Sequence, residues 1–307
     1  MTQGSEPHDG GLIDDLAKMN ELAQQNVGRR RTLRLLFAAG GGAIITACGG
    51  GSGTASSGSS TTTSSSTSSS STSSSTSSTS SSSTGGTSSG TCIADPEETN
   101  GPYPADGSNS RSGTVVNVLD DSGVVRSDIR SSFGSSTTTA SGLYTKLTIT
   151  VVNVNGSCAP LEGYAVYIWH CDINGKYSLY DYPAENFLRG VAVTDANGQV
   201  TFETIFPGCY DGRYPHIHFE VYPSLARATS YSNRLLCSQF AMPTAACTTV
   251  YATSAYSSSK SNFAGESITS DNVFGDNTTA QQEAMTIAMT GDTTNGYTGT
   301  VTVGIAI

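Results

Sequence analysis

Residues 208–223 read GCYDGRYPHIHFEVYP, and two of the chain's four histidines stand in this stretch one residue apart. From His216 to Tyr222 the residues alternate between polar and apolar. That alternation predicts a β-strand, in which residues i and i+2 share a face about 6.5–7 Å apart. His216 and His218 then project together and Ile217 turns to the opposite side. Two neutral imidazoles on one face can ligate zinc, copper or iron. By itself, His-x-His is more often a pair of ordinary polar strand residues. Just upstream, Pro207-Gly208-Cys209-Tyr210 makes a turn, and the polar loop after it lets the Tyr210 phenol fold back over the histidines. A phenol with a pKa of about 10 is a poor ligand at neutral pH. A nearby trivalent cation reverses this by favouring the phenolate, a hard oxygen donor that suits ferric iron better than zinc or copper(I). Arg213 stands in the same loop, and its permanent charge can stabilise an anionic substrate or intermediate. Taken singly, Tyr210 is a strand-end tyrosine and Arg213 a surface charge.

Outward from this stretch, strand signals dominate and helix signals are weak. Leu147–Val152 alternates and is rich in β-branched residues, and Ala165–Trp169, Val191–Thr194, Val200–Ile205 and Gly299–Ile307 read as further strands. Asp195-Ala196-Asn197-Gly198 carries the Asn-Gly cue for a hairpin between two of them. Residues 224–285 are less regular and predict loops and a short helix. Together these signals predict an all-β domain, a β-sandwich with long loops and little helix.

Composition divides the chain into three. In residues 1–48, Arg29-Arg30-Arg31-Thr32-Leu33-Arg34 precedes a short Gly-rich apolar run ending in Ile45-Thr46-Ala47-Cys48. The order of basic region, apolar run and small residues is that of an export signal. The arginines resemble a twin-arginine signal, and the last four residues resemble a lipobox, with Cys48 as the lipid-bearing residue. Of the 43 residues in 49–91, 34 are Ser or Thr. Such a segment has nothing to bury against the entropy of ordering and predicts a disordered linker, with a root-mean-square span of roughly 35 Å. Residues 92–307 are left as one globular domain. They carry 10 basic and 20 acidic residues, the whole of the net charge of −10. An acidic domain with no basic stripe argues against a nucleic-acid partner. The domain holds six cysteines, Cys92, Cys158, Cys171, Cys209, Cys237 and Cys247, none in C-x-x-C spacing. In an exported protein this number predicts up to three disulfides, with the pairing open, and Cys171 and Cys209 are candidate half-cystines bracing the site.

Pro207-Gly208-Cys209-Tyr210, Arg213 and His216-Ile217-His218-Phe219 together resemble the core of the intradiol ring-cleaving dioxygenases. Ile168-Trp169-His170-Cys171-Asp172-Ile173-Asn174-Gly175-Lys176-Tyr177 resembles the family's tryptophan-to-tyrosine segment. Its Gly-x-Tyr spacing favours Tyr177 over Tyr180 and Tyr182 as a first tyrosine ligand. Phe187-Leu188-Arg189-Gly190, Thr194-Asp195 and Asn197-Gly198 continue the pattern, and Glu98–Tyr103 resembles the segment that lines the substrate pocket, through Pro102 and Tyr103. The resemblance is good over 92–222 and thinner beyond, where Ser238-Gln239-Phe240 resembles a glutamine-bearing strand.

The resemblance implies a single non-haem Fe(III) held by Tyr177, Tyr210, His216 and His218. It implies a catechol-type aromatic diol that binds through both oxygens and is opened by dioxygen to a cis,cis-muconate-type diacid. Tyr210 would leave the metal and take a substrate proton, Arg213 would stabilise negative charge, and Gln239 would position the intermediate. His170 reads as a structural residue or as a hydrogen-bonder behind the ligands. The loop Asp211–Pro215 is shorter than in soluble members, and with the export signal it resembles an exported branch with a more open site and looser substrate choice. Two other readings stand beside this one. The domain could be a surface-anchored β-sandwich that binds without catalysis, or it could hold a different metal on the same ligands.

Overall fold

The computed structural model describes residues 92–307; the export segment with Cys48 and the Ser/Thr linker lie outside the described residues. The central strand β3, Tyr144–Asn153, turns Leu147, Ile149 and Val151 into the core by simple alternation. It pairs in parallel with β11, Gly296–Ile305, on one side. On the other it pairs antiparallel with β7, Gln199–Ile205, and with the two-residue β4, Ala159–Pro160. β10, Ala288–Asp292, closes a hairpin onto β11. A second, wholly antiparallel sheet runs in the order β6 (Arg189–Val193), β5 (Ala165–Trp169), β8 (His216–Tyr222), β9 (Leu236–Ala241). A small hairpin of β1, Asp106–Arg111, and β2, Thr114–Asn117, stands apart from both.

One apolar cluster joins the two sheets. It takes Leu147, Ile149, Phe202 and Val303 from the first and Ile168, Ile217, Phe219 and Phe240 from the second. Face-to-face burial of this kind drives two sheets together. All seven residues of β8 are buried. Ile217, Phe219 and Val221 face the shared core, and the alternate residues His216, His218, Glu220 and Tyr222 take the opposite face. A strand with one polar face is thereby buried on both sides.

The β-rich, two-sheet expectation is met, with three differences. First, the described residues include three α-helices: α1, Thr244–Tyr251; α2, Ser257–Phe263; and α3, Thr279–Met285. "Little helix" therefore understates the 224–285 region. α3 starts at a reciprocal cap between Thr278 and Gln281, a Thr-x-x-Gln signal readable in the sequence. Second, the Asp195–Gly198 turn forms, with Gly198 N–H donating to Asp195 O at 2.9 Å, but it does not close a hairpin. β6 pairs with β5 and β7 with β3, so the turn carries the chain from one sheet to the other. Third, one disulfide is present among the described residues, Cys92–Cys158, with Cα atoms 5.8 Å apart. Cys171, Cys209, Cys237 and Cys247 are free and buried, so neither Cys171 nor Cys209 is a half-cystine. Each packs as a small apolar side chain in one of the two main core clusters.

Candidate metal centre

The β8 ladder sets the first two donors. Trp169 is paired with His218, and His218 in turn with Gln239, so three strands bring these residues side by side on one face. The Trp169 ring lies flat on the His218 imidazole, with centroids 4.8 Å apart. His216 Nδ1 is 2.6 Å from Tyr214 O. A carbonyl only accepts, so Nδ1 carries the proton and Nε2 presents a bare lone pair. That Nε2 lies 3.1 Å from His218 Nε2 and 3.1 Å from Tyr210 Oη.

Two glycines and two helices bring the tyrosines in. A Cβ on Gly208 would lie 2.4 Å from Asp172 O, and one on Gly175 would lie 2.8 Å from Tyr210 Cβ. Only glycine lets the loop before Tyr177 and the turn before Tyr210 pack this closely. The region beyond β9 holds the turn from behind. Tyr256 and Tyr251 donate to Phe206 O and Pro207 O at 2.8 and 3.0 Å. Ser259 Oγ accepts from Cys209 N at 2.9 Å, and Asn262 donates to Cys209 O at 2.8 Å. The Tyr177 ring meets Tyr210 and His218 edge-on, at centroid distances of 6.0 and 6.3 Å. Its hydroxyl is buried with no hydrogen-bond partner.

The rival tyrosines are engaged elsewhere. Tyr180 donates to Asn109 Oδ1 at 2.6 Å and accepts from Ala105 N at 3.0 Å. Tyr182 donates to Asp172 Oδ2 at 3.0 Å. His170 is buried and bonds Thr204 Oγ1 at 2.6 Å and Cys171 O at 2.8 Å, so both ring nitrogens are occupied away from the cluster. Tyr103 packs on Tyr177 at 5.0 Å between centroids, and Pro102 precedes it in the segment that crosses the site. Arg189, 1 % exposed, is a buttress whose site role the sequence did not suggest. Its guanidinium donates to Tyr103 O, Pro104 O, Ser178 O, Ser178 Oγ and Tyr167 Oη. One side chain thereby ties the Pro102–Tyr103 segment and the Tyr177 loop to β6.

The electrostatics suit a cation at the centre. Burial, then Arg213, lowers the His216 pKa to about 3, and burial with His216 takes His218 well below the ordinary value. Both imidazoles are therefore neutral at pH 7. Burial lifts Tyr210 to about 12 against the pull of Arg213, and lifts Tyr177 well above the usual phenol range. Without a cation the two phenols stay protonated, and the two imidazole Nε2 atoms and a phenol oxygen lie within 3.1 Å steps of one another. The unpartnered Tyr177 hydroxyl, the Nε2–Nε2 approach and the mixed N/O donor set all fit a hard trivalent ion. Among the described residues no group of three or more His, Cys, Asp and Glu is placed to hold a metal. In the present set, half of the donors are tyrosine oxygens.

Arg213 is 1 % exposed and lies beside these donors. It donates through Nη2 to Gln239 Oε1 at 2.7 Å and through Nε to Asp271 Oδ2 at 2.9 Å. Gln239 Nε2 donates in turn to Thr99 O at 2.9 Å, which links β9 to the covering segment. Asp271 was not suggested by the sequence. It is one of three acids between 266 and 276 with no motif around it, and only the fold brings it to Arg213.

Residues 134–218 match the family described as Dioxygenase, a span that holds Tyr177, Tyr210, Arg213, His216 and His218 and ends on the last of them. No curated protein matches the chain. Among solved structures, an intradiol ring-cleavage dioxygenase from Tetranychus urticae aligns with a TM-score of 0.52 at 25% identity, over 70% of this chain and 95% of that one. A second dioxygenase crystal structure aligns with a TM-score of 0.53 at 25% identity, again over 70% and 95%. The described residues thus have the intradiol dioxygenase fold.

Proposed function

We propose that this chain is a non-haem ferric dioxygenase that opens catechol-type aromatic diols between the two hydroxyl carbons. The observation that carries the reading is the convergence of His216 Nε2, His218 Nε2 and Tyr210 Oη within 3.1 Å steps, with the unpartnered Tyr177 hydroxyl beside them. Tyr177, Tyr210, His216 and His218 would hold the iron. Bound there, a ferric ion supplies the electron withdrawal that makes a catecholate ring carbon reactive toward dioxygen. Both atoms of dioxygen end in the product, so the diol and one dioxygen molecule together account for every atom of a cis,cis-muconate-type diacid, and no further reductant is needed.

The chain's own residues supply proton handling and charge. His216 keeps Nε2 free because Nδ1–H is spent on Tyr214 O. Tyr210 is the half-buried member of the four, and so the one with room to swing aside. Its phenolate oxygen is the acceptor for a proton of the incoming diol. Arg213 places positive charge beside the anion that forms, Gln239 holds Arg213, and Pro102 and Tyr103 line the substrate side. The short Asp211–Pro215 loop suits a broad range of catechols, which kinetics on a panel of substituted catechols tests directly. In this reading Arg29–Arg34 directs export, and Cys48 carries a lipid that anchors the enzyme at the cell envelope, with the 49–91 linker as tether.

The deciding experiment is a visible absorption spectrum of the iron-loaded protein before and after anaerobic catechol. A red-brown band that moves to longer wavelength supports both the ferric tyrosinate site and direct diol binding. A protein that stays colourless after iron reconstitution removes the enzyme and leaves a binding module on the same fold.

A further inference from the structure

Arg213 presents five N–H groups, and the structure uses three of them. Nε donates to Asp271 Oδ2 at 2.9 Å, and Nη2 donates to Asp271 Oδ1 at 3.3 Å and to Gln239 Oε1 at 2.7 Å. Both remaining N–H groups are on Nη1, which is buried without a partner. A side-on carboxylate fixes the plane of a guanidinium as well as its position. The carboxylate is itself fixed. Asp271 Oδ2 also accepts from Tyr214 N at 2.7 Å, and Oδ1 accepts from Val273 N at 2.8 Å and Phe274 N at 3.1 Å. Tyr214 is the residue whose carbonyl orients His216. Asp271 thus grips the loop between Tyr210 and His216 at two consecutive residues.

We infer that Asp271 is a positioning residue: it pins Arg213 so that Nη1 alone, with two free N–H groups, faces the reacting diol. The inference rests on the dioxygenase reading and assigns the donor within it. Gln239 sets the second edge of the fork and Asp271 the first, so rotation about Cζ would break both. A buried charged group left without a hydrogen-bond partner is costly to keep, and here it serves an anion that arrives with substrate. Nothing in the sequence marks Asp271, which lies beyond the 134–218 family match.

The test uses the full chain with Asp271→Glu, which keeps the charge and moves the carboxylate by one methylene, and Asp271→Asn, which removes the charge. Each is made in the wild-type and the Arg213→Lys backgrounds. In the wild-type background we expect kcat for catechol to fall about 100-fold, the order expected for ångström-scale misplacement, with iron content and the tyrosinate band unchanged. In the Arg213→Lys background the same changes should cost much less, because only the contacts of Asp271 to the Tyr214, Val273 and Phe274 N–H groups remain to be disturbed. A loss of equal size in both backgrounds, or a kcat loss matched by loss of iron, overturns the inference in favour of a structural role. Arginine-labelled NMR of the metal-free protein gives a readout that does not depend on turnover. Arg213 Nε–H should be resolved and slow to exchange in the wild type and should lose that protection in Asp271→Asn. Unchanged protection overturns the pin. A wild type without turnover but with a protected Arg213 removes the dioxygenase reading alone.

Discussion

The Trp169 indole covers the His218 imidazole almost in parallel, with planes 4° apart and centroids separated by 4.8 Å. The stack follows from the ladder, in which Trp169 and His218 are direct partners across β5 and β8. His218 Nδ1 has no hydrogen-bond partner, so on that side the ring is held by packing. Trp169→Leu should free the ring, and loss of such a support typically costs about 10–100-fold in metal affinity. Trp169→Phe keeps an aromatic face and removes an indole N–H that is itself unpartnered, so it should bind iron nearly as the wild type does. Competition against a chelator measures both, and equal affinities for the two variants would remove the stack from the account.

Tyr177 and Tyr180 are separated by their hydroxyls. Tyr177 Oη is buried and unpartnered, whereas Tyr180 Oη holds Asn109 and Ala105 N. On metal-free protein, Tyr177→Phe should stabilise the fold by about 1 kcal/mol, because an unsatisfied buried hydroxyl is removed. Tyr180→Phe should cost about 1–2 kcal/mol by stranding its partners. With iron, the order of damage reverses: Tyr177→Phe weakens the visible band and Tyr180→Phe leaves it intact. Denaturant melts and spectra on the same two variants decide the assignment.

Much of this arrangement was legible because it is local. Ala165–Trp169 forms a strand with the bounds that its apolar run suggests, and the alternation of 216–222 sets both histidines on one face. Gln239 follows once the β8–β9 register pairs it with His218. What is absent from the sequence is long-range. The parallel pairing of β3 with β11 joins residues about 150 positions apart, and no local pattern encodes it. The Asn-Gly turn was readable, but the strands it connects found better partners in different sheets. Asp271 acts through contacts made only after folding and had no motif to announce it; Arg189 fell within the Phe187–Gly190 resemblance, but its bonds to Tyr103 O and Ser178 O are made only by the fold.

Gly101 crosses above His218 in the left-handed region, at φ +70, and an added Cβ would sit 3.1 Å from His218 Cε1. Gly101→Ala therefore has two costs, a backbone term of about 1–2 kcal/mol and a push against a proposed ligand ring. The expected outcome is a modest loss of stability with a disproportionate loss of iron affinity. If stability and affinity fall together in Gly101→Ala to the degree that a distant strained glycine such as Gly113 shows when replaced, contact with His218 is not the cause.

The Cys92–Cys158 bond closes a loop of 66 residues. A cross-link over that length stabilises by about 4 kcal/mol in the chain-entropy account, and it fastens the start of the domain. Reduction, or Cys158→Ala, should lower the melting temperature while leaving the visible band in place. The other four thiols are buried, and burial lifts Cys209 to about 12 and Cys171 and Cys237 well above the usual thiol range. They should resist alkylation in the folded domain and all react once it is unfolded without reductant. Fewer than four labels on residues 92–307 would indicate further pairing.

Asp95 pairs with the β11 backbone, accepting from Gly304 N through Oδ2 at 2.8 Å, and its Oδ1 is buried without a partner. Burial raises its pKa to about 7, opposed by the Gly304 bond. An unfolded aspartate releases its proton near pH 4 (about 3.9). Between about 4 and 7 the folded chain therefore holds a proton that the unfolded chain has lost. The stability contributed by Asp95 is full below pH 4, declines as pH rises, and is gone above pH 7. The interval corresponds to at most about 4 kcal/mol, an upper figure because the chain can relax locally to admit water. Asp95→Asn keeps an acceptor for Gly304 N and cannot ionise, so its stability should match the wild type near pH 4 and exceed it increasingly up to pH 7. The difference between the two urea-melt curves across that range isolates Asp95 from the other buried acids, and parallel curves would show that its carboxylate is solvated after all.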